Sequence, residues 1–470
     1  MTATTQARDE GEHGQRWGPR EAPSTALLTD HYELTMLRAA LQGGTAQRRC
    51  VFELFARRLP EGRRYGVVAG VGRAMRALRQ FRFDADALAF LIETDVVDQA
   101  TADWLADFRF TGDIWGYQEG EVYFPGSPIL VAHGSFAECV VLETLLLSIY
   151  NHDSAIASAA SRMTAMAGSR PCIEMGSRRT QELAAVAAAR AAYVAGFRAT
   201  SNLEAGRRYG VPTRGTSAHA FTLLHPTERE AFAAQIAALG DDTTLLVDTY
   251  DVFTAVRMGV ELTSGRLGAV RLDSGDLAVL ATQVRELLDS MGAHATKIVV
   301  TSDLDEFTIA ALSGAPVDSY GVGTALVTGS GHPTCGFVYK LVARAASDDP
   351  DAPLEPVAKK STDKIAIGGR KYAVRRIGAD GVAQAELVGI GYPAEGDADD
   401  RDLLVPLVQA GEVRAEEPLQ QSRDRHERAR RELPMEAMKM SRGDPVIPTV
   451  YAGAGAPDGS PFAPRVKAAM

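Results

Sequence analysis

The feature that most constrains the fold is a repeated alternation that begins near residue 170: a short apolar run, a polar or glycine residue, then a helical stretch. Each run is short and apolar, as strands buried on both faces of a sheet are. The spacing is that of βα units, so it predicts a parallel sheet, either an open doubly wound sheet or a closed β/α barrel. The runs occupy residues 171–177, 197–202, 213–219, 243–249, 268–274, 296–303 and 318–324.

The rest of the chain predicts a second, mixed α/β domain made from two chain segments. Shorter alternating runs, such as CVFELFARRL and KYAVRRIG, are separated there by glycine and proline turns. Ser135 and Glu138 form a capping box that opens a long buried helix reaching about Ala167. We therefore predict a disordered tail at 1–22, the mixed domain at 23–134 and 351–440, the barrel at 135–350, and an extended or disordered tail at 441–470.

Charge and cysteine usage exclude several classes of function. The chain has 60 acidic and 50 basic residues, a formal charge of -10, and no basic stripe, so nucleic acid is not an expected partner. An anionic substrate would need a site built locally from arginines, backbone amides and a metal ion. The cysteines are far apart, which predicts buried free thiols: Cys50, Cys139, Cys172 and Cys335. No apolar run is long enough for a membrane span and no signal peptide is recognisable, so we expect a cytoplasmic protein with no membrane partner.

Polar residues follow the predicted strands at their carboxyl ends, where both candidate folds place active sites. An aspartate in such a position is equally an ordinary helix cap, as we expect of Asp303 ahead of Glu306, so both interpretations stay open. The candidates are Arg178, Arg179, His219, Asp248, Asp273, Asp276, Ser302, Asp303, Gly321 and Gly323.

The segment VRLDSGDL offers groups for both ends of a phosphorylated sugar. Arg271 can bind a phosphate with paired donors, while Asp273 or Asp276 can accept from ribose hydroxyls or hold Mg²⁺. Gly275 allows the backbone to approach closely. The alternative is a strand end with an aspartate cap and an exposed arginine.

Two further motifs suggest phosphate chemistry. In YGVGTAL, Gly321 and Gly323 can expose successive backbone amides, and the motif falls late in the series, where barrels commonly bind phosphate. His219 follows a run of small residues, GTSAHAF, which favours phosphoryl or proton transfer over the usual structural role of a buried histidine. No GxxxxGK[ST] motif occurs, so any use of ATP must proceed without a P-loop.

Several motifs in order resemble those of the nicotinate phosphoribosyltransferase family, over roughly residues 25 to 455. They are LLTDHYELTM, FELFARRLPEGRRYGVVAG, EMGSRRTQ, ATSNLEAGRRYGVPTRGTSAHAF, VRLDSGDL, YGVGTALVTG and LPMEAMKMSRGDPVIP. The resemblance implies a type II phosphoribosyltransferase fold, an irregular TIM-like β/α barrel with a second domain. It also implies a homodimer with shared active sites, and an ATP-coupled enzyme of NAD biosynthesis, classified among the ligases, that makes nicotinate mononucleotide from nicotinate and phosphoribosyl pyrophosphate with Mg²⁺.

The resemblance also implies residue roles. His219 matches a histidine that ATP phosphorylates. Tyr32 matches an aromatic residue that stacks on the pyridine ring, and Arg178, which is next to Arg179, matches an arginine that contacts the base. Asp248 and Asp276 are candidates for the metal or the ribose. The phosphoribosyl and pyrophosphate groups are expected at Arg271, Asp273, Ser274, Gly275, Ser302, Asp303, Gly321, Gly323 and Thr324.

Other functions remain open at this point. Relatives that use nicotinamide place an acidic residue near the position of Asn202, so Asn202 favours nicotinate. A quinolinate phosphoribosyltransferase would need more cationic groups and no ATP. A Schiff-base lyase would need a lysine at a strand's carboxyl end, and only Lys297 and Lys340 lie in or beside predicted strands. A non-catalytic binding protein should have lost the polar residues at the strand ends.

Overall fold

The computed structural model describes residues 23–349, 351–359, 367–394, 396, 399–414 and 416–452. The prediction for residues 1–22, and that for 453–470, lie outside these ranges. The α-helices are α1 His31–Gln42, α2 Val71–Arg79, α3 Ala85–Glu93, α4 Gln99–Ala106, α5 Phe136–Val140, α6 Glu143–Ala167, α7 Glu182–Val194, α8 Leu203–Tyr209, α9 His219–Leu224, α10 Glu228–Leu239, α11 Val252–Leu262, α12 Leu277–Ser290, α13 Glu306–Ala311, α14 Thr324–Val327 and α15 Leu419–Arg431. Short 3₁₀ helices cover Ala26–Leu28, Leu312–Gly314 and Met435–Met438.

The strands form a six-stranded parallel sheet, a seven-stranded antiparallel sheet, a four-stranded mixed sheet and an antiparallel pair of short strands. They are β1 Arg49–Ala56, β2 Gly66–Val67, β3 Asp113–Gly116, β4 Val122–Tyr123, β5 Pro128–Ser135, β6 Cys172–Glu174, β7 Ala199–Thr200, β8 Thr244–Leu246, β9 Ala269–Leu272, β10 Lys297–Val300, β11 Ser319–Val322, β12 Phe337–Ala345, β13 Leu354–Pro356, β14 Lys371–Ile377, β15 Ala383–Ile390, β16 Arg401–Asp402, β17 Val405–Gln409, β18 Glu412–Val413 and β19 Thr449–Ala452.

The described chain divides into two compact units, and the division falls within α6. The parallel unit is Ala159–Gly331, and the mixed unit combines residues 23–158 with the described residues from 332 to 452. The domain limits at 135 and 350 that the sequence suggests stay predictions.

The parallel unit is built on a six-stranded parallel sheet in the order β7-β6-β11-β10-β9-β8. All but one of the predicted runs contain one of these strands, and the sheet forms half of a barrel. The prediction of a strand at 213–219 is wrong, because this segment makes a single bridge from Thr213 to Thr200. Pro212 directly precedes the segment, Gly215 lies within it, and α9 begins at its last residue.

The long helix predicted from Ser135 is interrupted. The capping box of Ser135 and Glu138 is present, but it opens the short helix α5, and α6 begins afresh at Glu143. Side chains from the start of the chain satisfy the backbone at the break: Thr29 Oγ1 donates to the Val141 carbonyl at 3.2 Å, and the Thr144 amide donates to Glu33 at 2.9 Å. These partners replace the missing helical hydrogen bonds.

Described segments before and after the parallel unit build the mixed unit, as the sequence predicts. In its seven-stranded sheet β1 lies between β5 and β12, and β3 pairs with β17. The four-stranded sheet includes β19, so part of the predicted tail 441–470 is a strand parallel to β15. The main core of this unit includes a stacked pair, Phe52 and Tyr339, with ring centroids 5.0 Å apart.

Buried ion pairs tie the sheets of the mixed unit together. Glu53 on β1 accepts from Lys371 on β14 at 2.6 Å, and Arg375 on β14 donates to Glu386 and Glu121. The pair of Glu53 and Lys371 joins the seven-stranded sheet to the four-stranded sheet, and loss of either partner would leave a buried charge without compensation. The cysteines are buried free thiols, as predicted. No helix among the described residues carries an apolar stretch long enough to cross a bilayer.

Candidate active site

The carboxyl edge of the parallel sheet brings Arg271 and two aspartates together. Arg271, near the end of β9, donates through Nη1 to Thr216 Oγ1 and to the Ser217 carbonyl at 3.1 Å. Burial lowers the pKa of its guanidinium, and the carboxylates of Asp273 and Asp248 oppose that effect. Its Nε is buried without a hydrogen-bond partner among the described residues, which leaves a donor for an anionic ligand.

Asp248 organises the loop that carries the predicted phosphate residues. Its side chain is 3% exposed, and its Oδ2 accepts from the Asp273 amide at 3.0 Å and from Ser274 Oγ at 2.7 Å. Its Oδ1 is buried with no hydrogen-bond partner among the described residues, and lies 3.9 Å from His219 Nε2. The orphaned oxygen faces the histidine and can attract a cation or a protonated imidazole.

His219 is the first residue of α9 and is held at the edge of the sheet rather than buried in a core. Its Nδ1 lies 3.0 Å from Thr249 Oγ1, while 43% of its side chain is exposed. The imidazole is therefore oriented on one side and accessible on the other, as a nucleophile needs to be.

Two loops place the predicted base-binding residues side by side. Arg178 and Arg179 lie exposed in the turn after β6, and Arg178 is close enough to Arg271 to lower its pKa. Asn202 caps α8, since its Oδ1 accepts from the Ala205 amide at 2.9 Å, and its Nδ2 donates to Ser177 Oγ at 3.0 Å. Asn202 is thus hydrogen-bonded to Ser177, the residue that directly precedes Arg178.

Glu174, at the end of β6, is a site residue that the sequence interpretation missed. Its buried carboxylate accepts from the Gly176 amide and from Thr200 Oγ1, and Thr200 Oγ1 in turn accepts from the Asn202 amide at 2.9 Å. Burial raises the pKa of Glu174. Glu174 therefore connects the Arg178 loop to the Asn202 loop. The sequence signal that could have identified Glu174 is its position as the one carboxylate in the apolar run PCIEMGS.

The glycines of the predicted phosphate loops are needed for different structural reasons. Gly275 has a φ of +85°, which favours glycine. Gly321 is buried in β11, and a Cβ there would lie 2.6 Å from Thr301 Cγ2, so close packing alone requires it. Gly323 precedes α14, whose first residue, Thr324, is exposed. A phosphate contact at these positions stays a prediction.

Ser302 and Asp303 follow β10 and are both exposed. Ser302 has a φ of +106°, a strained conformation of the kind that clusters at functional sites. The expectation that Asp303 caps the next helix is wrong: Asp305 does so, accepting from the Thr308 amide at 2.7 Å. Asp276 is a cap, with its Oδ1 3.2 Å from the Val279 amide.

The mixed unit contains Tyr32 and a cationic pocket. Tyr32 lies in the first turn of α1 with its side chain partly exposed. The pocket, of about 550 Å³, is lined by Arg57, Arg58, Leu59, Pro60, His332, Thr334, Cys335 and Gly336. Its two arginines come from FELFARRLPEGRRYGVVAG, but composition alone did not identify them as a site.

A magnesium ion fits the carboxylates of the parallel unit. Within the described ranges no group of three or more acidic, histidine or cysteine side chains forms a metal cage. Mg²⁺ is commonly bound through one or two carboxylates together with substrate phosphates, and the orphaned Oδ1 of Asp248 and the nearby Asp273 offer that donor set.

Two solved structures share this architecture. The human nicotinic acid phosphoribosyltransferase is 27% identical with a TM-score of 0.78, covering 90% of this chain and 97% of its own. The nicotinate-nucleotide pyrophosphorylase of Pyrococcus furiosus, 24% identical with a TM-score of 0.70 over 87% and 96% of the two chains, shares the fold. The fold is therefore that of the type II phosphoribosyltransferases, as predicted.

Sequence comparison narrows this class to one family. Residues 27–151 match the nicotinate phosphoribosyltransferase (NAPRTase) N-terminal domain. The nicotinate phosphoribosyltransferase pncB1 of Mycobacterium tuberculosis is 58% identical over 451 residues, 94% of this chain and 97% of that protein. The nicotinate phosphoribosyltransferase of Bacillus subtilis is 37% identical over 75% of this chain and 74% of its own. This chain belongs to the nicotinate phosphoribosyltransferase family.

Proposed function

We propose that the chain transfers the phosphoribosyl group of phosphoribosyl pyrophosphate to nicotinate in NAD biosynthesis, and that ATP drives the reaction through a phosphorylated His219. The observation that carries the proposal is the grouping of His219, Asp248 and Arg271 at one edge of the parallel sheet. Family membership supports the transfer reaction, and the exposed, oriented imidazole supports the phosphohistidine.

The transfer step breaks the bond from ribose C1 to pyrophosphate, and the pyridine nitrogen forms the new bond to C1. Positive charge develops on the sugar while the pyrophosphate leaves with the electron pair, so fixed donors near the leaving oxygen lower the barrier. The Arg271 guanidinium supplies such donors, and Asp273 lies close to it to accept from the ribose. Magnesium bound beside Asp248 would neutralise charge on the pyrophosphate.

The coupling step transfers the γ-phosphoryl group of ATP to an imidazole nitrogen of His219 and releases ADP. Hydrolysis later breaks the N–P bond and gives phosphate. While the phosphoryl group is present, it adds negative charge and acceptor oxygens next to Asp248 and Ser274. That charge changes the affinity of the site for pyrophosphate, so hydrolysis can drive synthesis.

The direct test is to incubate the purified protein with nicotinate, phosphoribosyl pyrophosphate, Mg²⁺ and ATP and to measure product mass and ADP. Reactions that omit Mg²⁺ or ATP in turn show which is required. Parallel reactions with nicotinamide and quinolinate test the choice of base. Faster turnover of either alternative would contradict the assignment of nicotinate.

The geometry of Asn202 makes the choice of base testable by one substitution. In Asn202→Asp, one carboxylate oxygen keeps the cap on Ala205, while the other replaces the Nδ2 donor toward Ser177 and adds negative charge near Arg178. We expect the kcat/KM ratio of nicotinate over nicotinamide to fall about tenfold, because the new charge repels the nicotinate carboxylate.

The control is Asn202→Ser, which keeps a capping side chain without the charge. Competition between the two bases, followed by product mass, measures the ratio. An unchanged ratio in Asn202→Asp, with the ratio in Asn202→Ser also unchanged, would remove this position from the specificity argument.

We also propose that the active protein is a homodimer with shared sites. In the parallel unit, several large side chains close to the candidate site residues in the sequence are exposed in the single chain: Leu203 directly after Asn202, Leu223 and Leu224 at the end of the helix that His219 begins, and Tyr250 directly after Thr249, the contact of His219. Exposed apolar side chains grouped around a polar site favour coverage by another subunit. The cationic pocket of the mixed unit supports the same proposal, since Arg57 and Arg58 can supply phosphate-binding groups to the site of a second copy.

Subunit complementation tests the shared site. We expect Arg57→Gln/Arg58→Gln and Arg271→Gln to be nearly inactive when pure, yet to recover about a quarter of native activity after mixing, since half of the random dimers are mixed and each has one intact site. The control mixes native chains with a chain carrying all three substitutions. The molecular mass of each variant in solution is measured in parallel to show whether it forms a dimer. Dimers that exchange subunits without any recovery of activity would show that each site uses one chain only.

A further inference from the structure

A buried ion pair in the parallel unit connects the two loops in which the sequence predicts phosphate-binding residues after β10 and β11. Glu306 is the first residue of α13, its side chain is 4% exposed, and its Oε1 lies 3.1 Å from Arg162 Nε on α6. The Arg162 guanidinium carbon also lies 5.8 Å from the centroid of the Phe307 ring. Glu306 Oε2 accepts from Ser330 Oγ, in the segment after α14, at 2.6 Å. One carboxylate therefore joins α6, the start of α13 and the end of the α14 segment.

The backbone of Ser330 connects this carboxylate to the loop after β11. The Ser330 amide donates to the carbonyl of Ala325, which directly follows Thr324, at 2.6 Å. Ser330 has a φ of +52°, a conformation that is strained for a residue with a Cβ. The hydrogen bond of its hydroxyl to Glu306 offsets this strain. The position of Thr324, a predicted phosphate-binding residue, thus depends on the contact between Ser330 and Glu306.

Glu306 is connected to the candidate site through the loop after β10 as well. Ser302, with its strained φ of +106°, lies four residues before Glu306. The preceding residue, Thr301, donates through its hydroxyl to the carboxylate of Asp273. This loop therefore runs from a residue that contacts Asp273 to the helix that Glu306 begins, and the buried pair fixes its far end.

We propose that Glu306 is a positioning residue for phosphoribosyl pyrophosphate: it holds the loops that contain Ser302 and Thr324 in a fixed relation before the substrate arrives. This inference rests on the proposed function, in which both loops contact the phosphoribosyl and pyrophosphate groups. Two loops that moved separately would lose conformational entropy on binding, and an anchor that is formed beforehand reduces that loss. Arg162 supplies the opposite charge that a buried carboxylate needs.

Ser330→Ala tests the proposal, because it removes the hydroxyl, keeps the Cβ and leaves the ion pair of Glu306 and Arg162 in place. We expect the KM for phosphoribosyl pyrophosphate to rise about fivefold, the size expected for one hydrogen bond. The value of kcat should stay unchanged, and the KM for nicotinate should change by less than about twofold. Glu306→Gln weakens the same contact, so together with Ser330→Ala it should raise KM by less than the product of the two single effects.

Ser290→Ala is the matched control. The Ser290 hydroxyl donates to the Leu287 carbonyl at 2.7 Å at the carboxyl end of α12, so this variant loses one hydrogen bond of similar length in the same unit. Both KM values should keep their native size in this control. Initial rates at varied concentrations of each substrate give the KM values, and thermal unfolding gives the stability of each variant.

Thr324→Val separates this inference from the proposed function, since it removes a hydroxyl proposed to contact the phosphate itself. We expect it to raise the KM for phosphoribosyl pyrophosphate about tenfold, as loss of a hydrogen bond to a charged group does. A native KM in Thr324→Val would contradict the placement of the phosphate at this residue. If Thr324→Val raises KM while Ser330→Ala only lowers the melting temperature, the positioning role of Glu306 is overturned and its ion pair is structural. Should Glu306→Gln not fold, the comparison of Ser330→Ala with Thr324→Val still decides.

Discussion

Replacing His219 by alanine is expected to abolish ATP hydrolysis linked to nucleotide synthesis while leaving an ATP-independent transfer of the phosphoribosyl group. The imidazole is the proposed phosphoryl acceptor, so its loss should reduce coupled ADP formation by about 10³-fold or more, as removal of a nucleophile does. The transfer step uses Arg271 and Asp273, which the substitution leaves in place. Nicotinate mononucleotide and ADP, measured with and without ATP, give both rates.

His225→Ala is a matched control, because His225 follows the same helix and its Nδ1 contacts the Phe221 carbonyl at 2.8 Å rather than a site residue. ATP coupling should survive in that variant. Thr249→Val removes the hydroxyl 3.0 Å from His219 Nδ1 and should weaken coupling without ending it. If His219→Ala still makes more product when ATP is present, the phosphohistidine assignment is wrong.

The strands of the parallel sheet could be predicted from the sequence, because the spacing of apolar residues and the residue types of the following loops are local signals. The order of those strands is not local: β6 and β11 are neighbours although nearly 150 residues separate them, and periodicity contains no information on such pairing. The break between α5 and α6 has the same cause. It depends on Thr29 and Glu33, more than a hundred residues earlier in the chain, which satisfy the backbone where the helix stops.

The candidate site shows a similar limit. Asp248 and Arg271 were predicted because they lie at the carboxyl ends of two strands, β8 and β9, which are neighbours in the parallel sheet. His219 was predicted after a run that is not a strand, yet its Nε2 lies 3.9 Å from Asp248 Oδ1. Glu174 was missed because its role depends on a hydrogen bond to Thr200, in the neighbouring strand. Asp303 and Asp305 are both plausible caps in TSDLDEF, and only the backbone path selects Asp305. Local sequence identifies the chemistry available but not which partner each group takes.

Arg271→Gln is expected to lower kcat/KM for phosphoribosyl pyrophosphate by about 10²- to 10³-fold, the loss seen when a fixed donor to a developing charge is removed. The nitrogens of the Arg271 guanidinium have different surroundings. Nη1 is used by Thr216 and the Ser217 carbonyl, and the buried Nε has no partner among the described residues. Glutamine can keep a contact to the Thr216 loop, but it has no positive charge for the phosphate.

Arg271→Lys should recover only part of that loss, because an ammonium is a point charge and cannot bind the Thr216 loop and a phosphate with paired donors at once. Arg266→Gln is the control. Arg266 precedes the amino end of β9 and pairs with Asp241 at 2.7 Å, so this substitution removes the same charge at the opposite end of the same strand. Initial rates over a range of phosphoribosyl pyrophosphate concentrations, with and without ATP, distinguish this variant from His219→Ala. Loss of phosphate binding lowers both rates, whereas loss of coupling lowers only the ATP-dependent one. Native kcat/KM in Arg271→Gln would remove Arg271 from the phosphate site and leave its contacts to Thr216 and Ser217 as its whole role.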